Sequence, residues 1–82
     1  MPKFFFDITD GTTITADQIG VELPDPGVAR TEATRTLSEI AAQELPGDGP
    51  FRHFAILVRG EDETVLFEVA LTFSTVEGPD KS

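Results

Sequence analysis

The 82-residue chain has no cysteine, no tryptophan, no tyrosine and a single histidine. Without cysteine, neither a disulfide nor a thiolate metal site can staple the fold. A domain this small buries only about 60–65% of its unfolded surface, so its own core supplies a few kcal/mol at most. Self-association is then a natural way to gain burial. The lack of cysteine also fits a reducing compartment. No stretch approaches the ~18 consecutive apolar residues of a membrane span. The opening MPKFFFDITDG has too short an apolar run for a secretory leader, and Asp7 interrupts it, so a cytoplasmic protein is expected.

Basic residues are scarce. Six Lys and Arg face fifteen Asp and Glu, for a formal charge of −9. Phosphate binding needs a basic stripe, so nucleic acid is not expected as a direct partner. The same charge repels anionic membranes and suits a basic protein partner. Phenylalanine and the aliphatic residues are too plentiful for a disordered chain.

What is present reads as strands around one helix. KFFFDI is a strand closed by the turn dipeptide Asp10-Gly11, with Phe4, Phe6 and Ile8 on one face and Phe5 and Asp7 on the other. TTIT forms a short return strand. Gly20 suits a positive φ, and Val21-Glu22-Leu23 is extended. Pro24 and Pro26 each hold the preceding residue extended. Asp25 becomes a helix N-cap and Pro26 the first helical residue, where a missing N–H costs nothing. The helix reaches about Leu45, with Ala29, Ala33, Leu37, Ile40, Ala41 and Leu45 forming a buried stripe. Arg35 has Glu32 and Glu39 at pairing distance along it.

PGDGP ends the helix. FRHFAILVRG is then a strand apolar on both faces, as an interior strand should be. After the charged GEDE turn, TVLFEVALTFSTV is the longest strand. Val65, Phe67, Val69, Leu71 and Phe73 lie on one face, and Leu66, Glu68 and Ala70 on the other. The expected fold is α+β, in the order β-β-α-β-β, with one helix on one face of a four-stranded antiparallel sheet ordered 2-1-3-4. Residues 1–76 form the domain and 77–82 a flexible tail.

Candidate chemistry is thin. His53, beside Arg52 at a strand start, has no converging partner for acid–base or metal work. Asp7, Asp10 and Asp17 lack the spacing of a calcium loop, and the turn itself uses Asp10. The glycines of GVELPDPG lack the spacing and the lysine of a phosphate loop. Ser38 and Ser74 have no histidine nearby in sequence and no nucleophile elbow. No catalytic residue, metal ligand or cofactor is therefore expected.

Surface is what remains. Phe5, Ala55, Leu57, Leu66 and Ala70 fall on the sheet face away from the helix, and such apolar patches tend to bind partners. The last strand is a second candidate, because a free edge accepts a strand from another chain, with Glu68 as a guard against that.

Taken in order, MPKFFFDITDG, DQIGVELPD, the helical ARTEATRTL and the paired final strands resemble a family of short alphaproteobacterial proteins, a domain of unknown function. The resemblance covers nearly the whole chain. It implies no activity and no site residues. Pro26-Gly27 departs from the helix-favouring residues expected after Asp25. The hairpin, LPD corner and helix also resemble the half-domain of HicB-type antitoxins. That likeness implies a small basic toxin as partner, together with a DNA-binding segment that this chain lacks.

The leading expectation is a non-enzymatic interaction module that forms a homodimer. The alternatives are an acidic nucleic-acid mimic of the anti-CRISPR or anti-restriction type, and an antitoxin-like module. Asp7, Asp10, Asp17 and Glu22 forming one acidic face would favour the mimic.

Overall fold

A computed structural model describes residues 1–47 and 49–79; Asp48 and the end of the expected tail, residues 80–82, lie outside the described residues. The element order is β1 (Lys3–Thr9), β2 (Ile14–Thr15), β3 (Val21–Glu22), α1 (Pro26–Glu44), β4 (Phe51–Arg59) and β5 (Val65–Ser74). All pairings are antiparallel. The hydrogen-bonded path runs β2-β1-β4-β5, and β3 also pairs with β1.

The fold is α+β, as expected, with one correction. The sheet has five strands, not four, because the extended Val21-Glu22 is itself a strand. Lys3 lies opposite Glu22 and Phe4 opposite Val21, while Ile8 lies opposite Thr15 and Thr9 opposite Ile14. Residues 14–22 thus run back along one flank of β1, paired at both ends and looped out between.

The turns follow the local chemistry. In the first hairpin the Asp10 carboxylate accepts from the amides of Thr12 and Thr13, both at 3.0 Å, and Gly11 takes φ +97°. In the second, Gly60 N–H donates to Thr64 O at 2.9 Å.

The helix starts where the prolines place it. Asp25 is extended, and its carboxylate accepts from Val28 N–H at 2.9 Å, satisfying one of the free amides of the first turn. Pro26 occupies the first turn. On the outer face Arg35 pairs with Glu32 at 2.6 Å.

The core lies between α1 and one sheet face. Ala29, Ala33, Leu37 and Ala41 meet Phe4, Phe54, Ile56 and Val58, and Phe6, Ile8, Phe67 and Val69 pack around them. Alanine at 29 and 33 lets the helix come close to β4, whose Phe54, Ile56 and Val58 are fully buried. Each of those three side chains contributes about 1.5–3 kcal/mol by leaving water.

The helix crosses the sheet obliquely. Near its start, Pro26, Gly27 and Arg30 border Phe67 and Val69 of β5. Near its end, Ile40 and Glu44 border Ile8 of β1 and Phe54 of β4. The far end of β5 is left uncovered: Leu71 and Phe73, expected under the helix, are 39% and 37% exposed.

Candidate functional site

The sheet face away from the helix carries the expected partner residues. Phe5 and Leu57 are half-buried, whereas Leu66 and Ala70 are exposed. Ala55, between Thr9 and Ala70 across the sheet, is fully buried. The cross-strand rows of this face are mixed. Leu57 lies between Asp7 and Glu68, Ala55 between Thr9 and Ala70, and Phe5 opposite Arg59. Each row brings a polar side chain, so the apolar residues do not merge into one patch.

The centre of this face is an ionic cluster that sequence reading did not find. Asp7 and Arg59 meet in a two-point ion pair, with Arg59 Nε donating to Asp7 Oδ2 at 2.6 Å and Nη2 donating to Oδ1 at 3.1 Å. Arg59 Nη2 also donates to the backbone carbonyl of Asp17 at 3.0 Å. The guanidinium stands 5.0 Å from the centre of the Phe5 ring, a cation–π distance. One signal was available. Strand alternation puts Arg59 on the same face as Asp7, the only acid of the first strand.

Asp17 completes the cluster from the loop between β2 and β3. Its amide donates to Asp7 Oδ1 at 2.9 Å. Its carboxylate accepts from the amides of Ile19 and Gly20 through Oδ1, at 3.0 and 3.1 Å, and from Phe6 N–H through Oδ2 at 3.1 Å. The last bond replaces a rung of the ladder, because Phe6 lies where β1 has neither β2 nor β3 beside it. Glycine suits position 20. Its φ is +79°, and a Cβ would come within 2.8 Å of the Phe5 ring.

These contacts set the charges. Hydrogen bonding to Arg59 holds the Asp7 carboxyl below its usual range; burial opposes this, and the Asp17 amide adds to it. For Asp17, burial pushes upward, but the amides of Ile19, Gly20 and Phe6 and the charge of Arg59 outweigh it, and the net shift is downward. A general acid needs the opposite shift. Both carboxylates are ionised acceptors with their oxygens engaged, so the cluster acts as a clamp tying the loop to β1 and β4. A cleft of about 450 Å³ beside it is bordered by Gln18, Glu61 and Glu63.

The remaining candidates stay apart. Asp10 is held in its own turn by Thr12 and Thr13, and Glu22 lies opposite Lys3. Asp7, Asp10, Asp17 and Glu22 therefore do not form an uninterrupted acidic face. His53 Nδ1 is 3.0 Å from Thr72 Oγ1 on the neighbouring strand. Among the described residues, no group of three His, Asp or Glu side chains is placed to hold a metal ion. Among those residues, too, no helix is long and apolar enough to cross a membrane.

The class defined by these features is a small α+β domain, with one helix on an antiparallel sheet and an Asp–Arg clamp on the opposite face. Residues 3–72 match the family described as Domain of unknown function (DUF6894), and the chain belongs to that family. Comparison with curated proteins and with solved structures returns no match.

Proposed function

We propose that this chain is a non-enzymatic interaction module that works by self-association. The observation carrying this reading is the set of exposed apolar side chains on β5, with Leu71 and Phe73 on the helix face and Leu66 on the other. Val65, Leu66, Leu71 and Phe73 are all exposed on a ten-residue strand at the end of the sheet. Burying these side chains offsets the small size of the core. The clamp supports the non-enzymatic part, because its carboxylates are committed to backbone amides and to Arg59. Sedimentation equilibrium of the full chain up to about 1 mM is the test, since even weak association of about 4 kcal/mol shows at that concentration. A dimer is expected, and a strict monomer throughout would refute the reading.

A basic protein partner is a second reading, favoured by the −9 charge. Its mark is binding that weakens steeply with salt. Salt-insensitive association would remove it. The nucleic-acid mimic draws less support, because Arg59 and Lys3 interrupt the acidic positions it would use.

A further inference from the structure

We propose that β5 pairs antiparallel with β5 of a second copy, about a twofold axis at Ala70, joining two sheets into one. The inference rests on the self-association reading and names the surface that performs it.

β5 ends the sheet, so its outer N–H and C=O groups face no strand among the described residues. Exposed edges are normally guarded by shortness, proline, charge or bulges. β5 runs ten residues as VLFEVALTFS, with neither proline nor glycine and with Glu68 as its one charge. Its only irregularity is a register shift at its start, opposite Val58 and Arg59. On the other flank of the sheet, β2 and β3 have two residues each and offer no comparable template.

When a strand pairs with its own copy, partners share a face only if the axis passes through a residue. An axis at Glu68 would set two carboxylates against each other. An axis at Ala70 sets Glu68 opposite Thr72 of the second copy, a hydrogen-bonding match. It also sets Val69 opposite Leu71, and Phe67 opposite Phe73.

The oblique helix leaves Leu71 and Phe73 as exposed knobs at one end of β5. At the other end, Pro26, Gly27, Arg30, Phe67, Glu68 and Val69 line a groove of about 450 Å³. Antiparallel pairing about Ala70 carries the knobs of each copy to the groove of the other. The face away from the helix has no such complementarity, because the Asp7–Arg59 pair occupies its centre.

The chain has no native cysteine, so single-cysteine variants report the interface cleanly. Under mild oxidation Ala70→Cys is expected to cross-link as a dimer, while Leu57→Cys, on the central strand, is not. Phe73→Asp is expected to weaken dimerisation by at least about tenfold, with the far-UV spectrum and cooperative melting retained. Cross-linking through Leu57→Cys, or a dimer unaffected by Phe73→Asp, would overturn edge pairing and leave self-association standing. A strict monomer would remove the reading beneath it.

Discussion

Asp17→Ala is the most direct probe of the clamp. It removes the acceptor for three backbone amides, those of Phe6, Ile19 and Gly20. The Phe6 amide lies within a central strand and is partly buried, so its loss costs about 1–1.5 kcal/mol. The Ile19 amide is exposed and the Gly20 amide part-buried, and together they add about 1 kcal/mol. The total is about 2 kcal/mol, or roughly 8–16 °C in melting temperature for a domain of this size. Asp17→Asn should cost about half as much. Its carbonyl oxygen still serves Ile19 and Gly20, but its NH₂ group meets the Phe6 N–H donor to donor.

Urea titration of both variants, with amide exchange read at Phe6, measures this directly. The Phe6 amide should exchange faster in each variant. The pH dependence follows in sign. The folded Asp17 carboxyl titrates below its ordinary value of 3.8. The unfolded chain therefore binds more protons between the two values. The contribution is complete above that ordinary value and is lost as pH falls through the folded one. The acid-side loss of stability should be shallower in Asp17→Asn, with Asp7 and Asp10, both also lowered, supplying the remainder. If Asp17→Asn matched the parent in stability and in Phe6 exchange, the carboxylate would not be replacing a rung of the ladder.

Other variants probe neighbouring parts. Arg59→Met keeps the apolar stem over Phe5 but removes the ion pair, so the Asp7 carboxyl should titrate at higher pH by NMR; an unmoved titration would show that Arg59 does not hold it down. Gly20→Ala forces a side chain into the left-handed region and against the Phe5 ring. It should lower the urea midpoint by an amount equivalent to about 1–2 kcal/mol, and an unchanged midpoint would refute the close approach. Phe54→Ala empties the middle of the core at a cost of about 3–5 kcal/mol, comparable with the entire stability of so small a domain. Loss of the cooperative thermal transition is expected, and a transition close to that of the parent would contradict the central place of Phe54.

Much of the scaffold was legible because it depends on short-range chemistry. Asp25 caps the helix because two prolines constrain the backbone around it, and the alanine stripe is buried because its spacing is helical. The strand faces were legible for a similar reason, since alternation put Phe4 and Phe6 opposite Phe5 and Asp7. What escaped was set by tertiary placement. Val21 and Glu22 count as a strand only because β1 has an open flank beside them. Leu71 and Phe73 share the apolar face of β5, yet the angle of the helix leaves them in water, and no local pattern encodes that angle. The clamp was half visible. Asp7 and Asp17 were singled out as acids, but their meeting depends on Arg59, distant in sequence, and on a loop whose backbone they hold in turn.

That loop has a consequence for how the molecule opens. Residues 14–22 are fastened to the sheet by two short ladders and by the bonds of Asp17 to Phe6, Asp7 and Arg59, whereas β4 and β5 are joined from Phe51 opposite Ser74 to Arg59 opposite Val65. Peeling the weaker ribbon breaks few bonds and leaves the helix seated on its hairpin. The cheapest excursion from the native state is therefore a local unzipping at this flank. Acid, by protonating the aspartate that fastens it, would release the ribbon before the remainder of the protein melts.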